Sequence, residues 1–340
     1  MQAARLIRPG EPLIVDSVPE PEIRPGGVKV EVMAAAVASY AGRVMGGVLP
    51  IPLPVPYVPG PSCIGRVVET SSDVTGIAPG EIVFCSPYYS EGVLGGRQES
   101  ILIGWFGLTP GSGRLLERWR DGAFAQRAVY PAACVTPLGP GTGREHIKLG
   151  GLAIAYGGLL RAEFEPGQAL LVNGATGNLG SCAVLTALSM GASRVVAVGR
   201  NPVVLSQLAE LDRRVVARPM DAAEELEPVD AVLDVLGYVT DPQPVGQALA
   251  HLRPGGTAVF LGGVLTDIPI SYLTMLTSQW TLRGSFMYPP GAVAHLARMV
   301  RSGTLDLGRI RAVGYPLDQA NEAVAAAAQL RGLQVCFLQP

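Results

Sequence analysis

The sequence predicts an α/β protein of two domains, one of them β-rich and the other built on a doubly wound parallel sheet. Three observations predict this fold class. The 340 residues are too many for one small core. Short alternating strands separated by turn signals extend to about residue 140, and from about residue 146 strands and helices alternate along the chain. That second pattern is typical of βαβ units, whose strands lie parallel.

The first part of the chain carries the period-two alternation of half-buried strands. Turn signals at Pro25–Gly27 and Pro79–Gly80 separate the segments. The predicted strands are Val28–Val32, Gly65–Glu69 and Glu81–Phe84.

The second part begins with a predicted helix, Ile147–Glu163, followed by the apolar strand Ala169–Asn173 and a helix over Ser181–Met190. Further strands alternate with helices in the order that a parallel sheet requires. The predicted strands are Val195–Val198, Arg214–Ala217, Ala231–Val235 and Thr257–Leu261, and the predicted helices are Val203–Leu211 and Val245–Leu252. Arg253–Gly256 is predicted to be a sharp turn before a strand. A helix over Val293–Ser302 and a strand over Leu333–Leu338 close the chain.

The composition argues against charged partners. Hydrophobic residues make up 48% of the chain, charged residues 16%, and the formal net charge is −2. This balance gives no electrostatic basis for binding nucleic acid or an anionic membrane, and no apolar run is long enough to span a bilayer. The five cysteines are scattered and form no CxxC pair, which is typical of reduced thiols in a cytoplasmic protein. The partner that we expect is therefore a small-molecule substrate.

A glycine-rich turn directly follows the strand Ala169–Asn173. Its residues are Gly174, Ala175, Thr176, Gly177, Asn178, Leu179 and Gly180. A strand, a glycine-rich turn and a helix in this order form a site for a dinucleotide pyrophosphate, because N–H groups at the helix N-terminus bind the phosphates. Gly177 allows the backbone to approach the phosphates, and Gly180 allows the helix to pack close to the sheet. The second domain is therefore predicted to be a Rossmann domain.

The next strand indicates which dinucleotide binds. It ends at Gly199, Arg200 and Asn201, where NAD-binding proteins usually carry an Asp or Glu that holds the ribose 2′-OH. Arg200 suits a 2′-phosphate through charge-assisted hydrogen bonds, so we expect NADPH (NADP+) as the cofactor. A solvated arginine before a helix is the alternative interpretation. Asn201 followed by Pro202 is also explained as a helix cap.

Several short motifs occur in the order found in one enzyme family. They are Val58-Pro59-Gly60, Gly65-Arg66-Val67-Val68, Gly80-Glu81-Ile82-Val83, Gly122–Gln126 and Arg283–Tyr288. With the glycine-rich turn, these motifs resemble those of the medium-chain dehydrogenase/reductase superfamily over nearly the whole chain. The resemblance implies a GroES-like catalytic domain over residues 1–140, completed by 290–340, and a Rossmann NADP-binding domain over 141–289. It also implies a homodimer formed by sheet extension between Rossmann domains.

The chain departs from the zinc alcohol dehydrogenases of that superfamily at the metal ligands. Where those enzymes carry a Cys, this chain has Ala38, and where they carry a His-Glu pair, it has Pro61 and Ser62. Where they often carry a further Cys, this chain has Gly150–Gly151. These residues cannot form the tetrahedral N/S set that zinc requires. The loop Ser86–Gly122, which matches a four-Cys structural zinc lobe, contains no Cys. We therefore expect no metal, and the chain resembles the zinc-independent quinone oxidoreductase and enoyl reductase branch.

Without zinc, the reaction should need little Lewis acidity. Hydride transfer to an activated C=C or to a quinone meets this condition, because the developing charge spreads over an extended enolate or a hydroquinone. Reduction of a carbonyl or an imine in specialised metabolism is one alternative. A non-catalytic dinucleotide-binding scaffold or sensor is the other.

Three hydroxyl side chains lie at or beside the positions of the missing zinc ligands. Tyr40 matches the position where zinc alcohol dehydrogenases place a proton-relaying hydroxyl, so it is the first candidate for oxyanion donor or proton source. A packed tyrosine at a strand-helix corner is the alternative. Ser39 and Ser62 are further candidates, although small residues there also make room for a substrate.

The remaining candidates concern the walls of the pocket and the nicotinamide. Tyr57, Tyr88 and Tyr89 are predicted to line the substrate pocket. Gly262 and Gly263 follow a strand at the carboxyl edge of the sheet, so we expect them beside the cofactor. Relatives often carry a Thr near Ile154 that contacts the carboxamide, and Ile154 cannot make that contact.

Overall fold

The structure is a computed structural model that describes residues 1–49, 51–92, 98–222 and 226–340. The chain divides into two compact units. The first comprises Met1–Gly150, Leu307–Leu330 and Gln334–Pro340, and the second comprises Gly151–Asp306 and Arg331–Leu333. These limits differ from the sequence-based boundaries after residues 140 and 289. The helix Ala292–Arg301 belongs to the second unit, where the His295 ring packs against Tyr156 at a centroid distance of 5.4 Å.

The first unit is β-rich, as the sequence predicts. Its elements before residue 150 are β1 (Gln2–Arg5), β2 (Ile14–Ser17), β3 (Gly27–Val37), α1 (Ala41–Met45), β4 (Cys63–Thr70), β5 (Ile82–Cys85), β6 (Tyr88–Glu91), β7 (Glu99–Leu102), β8 (Phe106–Gly107), α2 (Gly113–Trp119), β9 (Arg127–Pro131) and β10 (Val135–Pro137). The segment Ser86–Gly122 includes β6, β7, β8 and α2, and its residues 93–97 lie outside the described residues.

The second unit alternates strands and helices. Its elements are α3 (Leu149–Arg161), β11 (Ala169–Asn173), α4 (Asn178–Ser189), β12 (Arg194–Gly199), α5 (Pro202–Ala209), β13 (Val215–Pro219), β14 (Val229–Asp234), α6 (Gln243–Leu249), β15 (Leu252–Phe260), α7 (Tyr272–Ser278), β16 (Thr281–Gly284) and α8 (Ala292–Arg301). The chain then returns to the first unit with β17 (Arg311–Pro316), α9 (Ala320–Ala327) and β18 (Gln334–Gln339).

The main sheet of the first unit has the strand order β10-β5-β4-β3-β18-β17, with β9 also pairing with β3. β3 is its long central strand and runs antiparallel to β4, β9 and β18. The C-terminal strand β18 pairs residue by residue with the end of β3, where Cys336 lies opposite Val37. This pairing fixes the course of the chain just before Ala38, the first position of interest for the site.

The sheet of the second unit is parallel throughout, in the order β13-β12-β11-β14-β15-β16. Counted from β11, this is the order 3-2-1-4-5-6 of a Rossmann fold, so the predicted fold class is confirmed. The order reverses direction between β11 and β14, and ligands of open α/β sheets bind outside the strand ends at such a point. A core of Leu171, Val196, Val232, Leu249 and Ala258 stabilises the sheet.

Three smaller predictions can be compared with the structure directly. The predicted turn Arg253–Gly256 lies within β15. There the pairing of β15 with β14 shifts its register, between Val229 and Ala231 of β14. The turn signal thus marks a bulge in the strand, with Gly255 at φ +74°. All five cysteines are buried as thiols. Within the described ranges, no helix is both long and apolar enough to cross a membrane.

Candidate functional site

The glycine-rich turn lies between β11 and α4, as predicted. Gly174 adopts a φ of +93°, which favours glycine, and its carbonyl accepts a hydrogen bond from the Gly177 N–H at 3.0 Å. Gly177 is the N-cap of α4, and Ser181 donates from its hydroxyl to the Ala175 carbonyl at 2.8 Å. The first turn of α4 leaves N–H groups without an intrahelical acceptor. These groups can bind a phosphate.

The two glycines at the start of α4 differ in how closely they are packed. A Cβ at Gly180 would overlap the Gly174 carbonyl oxygen and lie 2.6 Å from the Ala175 Cα. A Cβ at Gly177 would meet only the Gly174 oxygen, at 3.3 Å. Gly180 is therefore required by helix-sheet packing, whereas space on the outer side of Gly177 is left for a ligand.

The adenosine end of the candidate site lies at the end of β12. A Cβ at Gly199 would lie 2.7 Å from the Thr176 Oγ1, so this strand end packs against the glycine-rich turn. Arg200 is exposed, and in the described part of the chain its guanidinium makes no hydrogen bond or ion pair. The Asn201 side chain accepts hydrogen bonds from the Val203 and Val204 N–H groups at 3.1 and 3.2 Å, so it caps α5.

A buried polar pair lies beneath the turn, and the sequence analysis did not identify Asn173 as one of its members. The Asn173 Nδ2 donates to the Asp234 Oδ2 at 2.7 Å and to the Pro244 carbonyl at 3.1 Å. The two residues lie opposite each other at the ends of β11 and β14. Burial raises the pKa of the Asp234 carboxyl to about 6, although hydrogen bonds from Asn173 and from the Leu236 N–H act in the opposite direction. This pair holds the two strand ends at the point where the strand order reverses.

Gly262 and Gly263 lie at the same carboxyl edge, after β15. A Cβ at Gly262 would lie 2.8 Å from the Leu236 backbone nitrogen, and the Gly263 N–H donates to the Leu236 carbonyl at 2.6 Å. Gly237 and Gly263 form a parallel bridge. The loops after β14 and β15 are thus held together at this edge. Ile154 lies in α3 and is half-buried.

The first unit brings together the segments that match the zinc ligands of alcohol dehydrogenases. The Ala36 N–H, near the end of β3, donates to the Ser62 carbonyl at 2.8 Å. A Cβ at Gly150 would lie 3.6 Å from the Ser62 Oγ and 3.5 Å from the Phe84 ring. Ser62 is buried, Ser39 is half-buried, and Tyr40 is 39% exposed at the N-cap of α1.

The chemistry of these residues does not fit zinc. Ala38, Pro61 and Gly150 have no ligating atom, and a neutral Ser62 hydroxyl alone cannot hold the ion. Within the described ranges, no group of three or more His, Cys, Asp or Glu side chains is placed to bind a metal.

The three tyrosines predicted to line a substrate pocket all lie in the first unit. Tyr57 is 2% exposed and lines a cavity of about 310 Å³ together with Trp119, and Tyr40, Ser39 and Ser62 are not among the residues that line it. Burial raises the pKa of the Tyr57 phenol well above its usual range. Tyr88 and Tyr89 lie in β6, where the Tyr89 hydroxyl donates to Glu91 and its ring packs against Trp119.

Comparisons with known proteins agree with this architecture. The family model described as the alcohol dehydrogenase GroES-like domain matches residues 24–140, and the model described as zinc-binding dehydrogenase matches residues 178–302. A probable zinc-binding alcohol dehydrogenase of Mycobacterium tuberculosis is 29% identical over 95% of this chain and 84% of its own length. An acryloyl-coenzyme A reductase of Metallosphaera sedula is 26% identical over 74% of this chain and 73% of its own length.

A solved structure is similar over the whole chain. It is that of a presumed zinc-binding dehydrogenase from Sinorhizobium meliloti 1021 bound to NADP, with a TM-score of 0.83, 24% identity and coverage of 100% of this chain and 99% of the other. At this identity the similarity establishes the fold. With the two family models covering both units, the chain belongs to the medium-chain dehydrogenase/reductase superfamily of nicotinamide-dependent oxidoreductases.

Proposed function

We propose that this protein is a zinc-independent, NADPH-dependent reductase that transfers hydride to an activated C=C bond or a quinone of a small apolar substrate. One observation carries the proposal. The segments that supply zinc ligands in related dehydrogenases converge in the first unit, yet they hold Ala38, Pro61, Ser62 and Gly150. The backbone arrangement is kept while the ligating atoms are absent.

The cofactor follows from the second unit. The pyrophosphate would lie against Gly177 and the first turn of α4, where N–H groups and the helix dipole favour negative charge. The Arg200 guanidinium is exposed and free of partners among the described residues, so it can pair with a 2′-phosphate. The S. meliloti structure holds NADP, which agrees with this choice.

The substrate class follows from what the first unit lacks. A bound metal ion would polarise the oxygen of a simple carbonyl and stabilise the developing charge by roughly several kcal/mol. A site without a metal lacks this stabilisation. Reduction of an enone or quinone needs less charge stabilisation, because the negative charge that develops on hydride addition spreads over several atoms. The name of the M. sedula relative, an acryloyl-coenzyme A reductase, is consistent with reduction of a conjugated C=C.

The proposed reaction balances with one hydride and one proton. When bound, NADPH would supply the hydride. Hydride addition to the β-carbon of the enone would leave negative charge on the oxygen, and the Tyr40 hydroxyl would protonate that oxygen and regain a proton from solvent. The resulting enol would then tautomerise to the saturated ketone. Tyr40, Ser39 and Ser62 supply the hydroxyl groups, of which Tyr40 is exposed and is proposed to donate to that oxygen.

The test is a panel of acceptors assayed by NADPH consumption, combined with metal analysis of the same preparation. Enones or quinones should be reduced, with or without a chelator, and zinc should stay below about 0.1 per chain. Exclusive turnover of saturated ketones, aldehydes or iminium compounds would contradict the proposed substrate class. Stoichiometric zinc whose removal abolishes activity would contradict metal independence.

We also propose a homodimer formed through the edge of the second unit's sheet. β16 is the last strand at that edge, and the neighbouring helix α7 exposes Tyr272, Leu273 and Leu276 at 73%, 67% and 57%. An exposed apolar helix beside an edge strand is suited to association. Light scattering should give twice the chain mass, and a Leu273→Lys, Leu276→Lys variant should be monomeric.

A further inference from the structure

Trp105 lies in the tight turn between β7 and β8 and packs against Tyr40. The two ring centroids are 6.2 Å apart, with the planes inclined by 30°. The Trp105 side chain is only 1% exposed, whereas Tyr40 is 39% exposed. The indole is therefore a buried neighbour of the tyrosine that the proposed function places at the substrate oxygen.

The turn that carries Trp105 also lies against the segment that matches the His-Glu pair of zinc enzymes. Gly104 has a φ of +72°, and a Cβ there would lie 2.6 Å from the Gly60 carbonyl oxygen. The Gly104 N–H donates to the Arg120 carbonyl at 3.1 Å, which fixes the turn. Gly60 directly precedes Pro61 and Ser62. Trp105 thus lies between two of the segments that converge at the candidate catalytic positions.

The indole N–H of Trp105 is buried and has no hydrogen-bond partner in the described residues. A buried donor without an acceptor destabilises the folded protein, and an acceptor that binds beside it removes this cost. Trp119 and Trp280 also have unpartnered indole N–H groups. Their surroundings differ, because Trp119 packs against Tyr89 and Arg118, and Trp280 packs on the core of the second unit.

We propose that the Trp105 indole N–H donates a hydrogen bond to the acceptor oxygen of a planar, conjugated substrate that stacks beside Tyr40. Trp105 would then provide a second fixed donor where related enzymes use a metal ion. This inference rests on the proposed function, since it assigns a substrate contact to the same site. The hydrogen bond from Trp105 would favour substrates that have a carbonyl or quinone oxygen conjugated to the reducible bond.

The experiment observes the indole N–H groups directly. The protein is labelled with ¹⁵N-tryptophan, and its three indole signals are assigned with the Trp105→Phe, Trp119→Phe and Trp280→Phe variants. Cyclohex-2-enone is then added in the presence of NADP+, so that both redox partners are oxidised and no turnover occurs. We expect the Trp105 signal to move downfield with saturation, while the signals of Trp119 and Trp280 stay in place.

Kinetics with the same variants give the second readout. Trp105→Phe should lower kcat/KM for the enone roughly tenfold, which is the effect of losing one hydrogen bond to a neutral acceptor. Trp119→Phe removes an equally buried, equally unpartnered indole from the same segment, so it is the matched control and should retain kcat/KM. A general loss of stability would affect both variants.

The two proposals fail in different ways. If the Trp105 signal moves but no enone or quinone is reduced, the proposed function is wrong and the Trp105 contact stands. If enones are reduced while the Trp105 signal stays in place and Trp105→Phe retains kcat/KM, the contact is refuted and the function stands. A Trp105 signal unchanged at saturating enone, without turnover, overturns the inference as well.

Discussion

The glycine-rich turn predicts opposite effects for two neighbouring Gly→Ala substitutions. In Gly180→Ala, the new methyl group would overlap the Gly174 carbonyl oxygen and lie 2.6 Å from the Ala175 Cα. Both are backbone atoms, so β11 and α4 must separate. Overpacking of this kind costs about 3 kcal/mol, and the better helix propensity of Ala returns about 1 kcal/mol. The net loss of about 2 kcal/mol should lower the Tm by roughly 4–8 °C.

Gly177→Ala is the matched control, because its methyl group has room in the protein without ligand. Gly177 has a φ of −73°, which Ala adopts readily, and the new Cβ would meet only the Gly174 oxygen, at 3.3 Å. The Tm should therefore stay within about 2 °C of the parent value. NADPH affinity should fall at least about tenfold, because the methyl group occupies the space through which the pyrophosphate approaches.

Two measurements test this pair. Thermal unfolding without ligand reports the packing cost, and titration of NADPH fluorescence reports the affinity. The reasoning is refuted if Gly180→Ala unfolds at the parent temperature. It is also refuted if Gly177→Ala binds NADPH as tightly as the parent protein does, since the turn would then not contact the phosphates.

Three further predictions concern single side chains. Arg200→Ala should weaken NADPH binding by about 10–100-fold and NADH binding by less than about twofold, as measured by calorimetry. Replacement of the exposed Arg213 by Ala is the control. Equal losses of affinity for both cofactors would show that Arg200 does not bind the 2′-phosphate. Tyr40→Phe should lower kcat/KM at least about tenfold with an unchanged Tm, and an unaltered rate would exclude its hydroxyl from proton donation. The pKa of Asp234 is about 6 in the folded protein and near 3.8 in the unfolded chain. The stabilisation that the protonated carboxyl contributes is therefore largest below pH 3.8 and is lost as the pH rises through about 6. Relative to the parent, Asp234→Asn should therefore gain about 2–3 kcal/mol of unfolding free energy between pH 4 and 7, measured by urea unfolding, and a pH-independent difference would refute the assignment.

The second unit was predictable because its signals are local. The apolar run Ala169–Asn173, the glycines after it and the strand ending at Gly199 are each read within a few residues. Right-handed crossovers between such units limit the strand orders that the sheet can adopt. Asn173 was overlooked because its role depends on Asp234, 61 residues further along the chain.

The first unit was less predictable because its pairings are distant. The alternation of Val28–Val32 predicts only part of β3, which continues to Val37. The segment Ala34–Val37 has no strand signature of its own, and it is extended because it pairs with β4 and with β18 near the C-terminus. The burial of Tyr57 beside Trp119 depends on contacts between distant segments, which no local pattern encodes.

Gly150 connects the fold to the proposed chemistry. It lies in α3 directly beside Ser62, yet a Cβ there would make only ordinary contacts, at 3.5 Å with the Phe84 ring and 3.6 Å with the Ser62 Oγ. Packing therefore does not require glycine at this position, and glycine inside a helix costs about 1 kcal/mol relative to alanine. Functional positions are among the places where such local rules are broken. A side chain at Gly150 would lie beside the Ser62 hydroxyl, so a glycine there is consistent with the proposal that this position supplies no metal ligand.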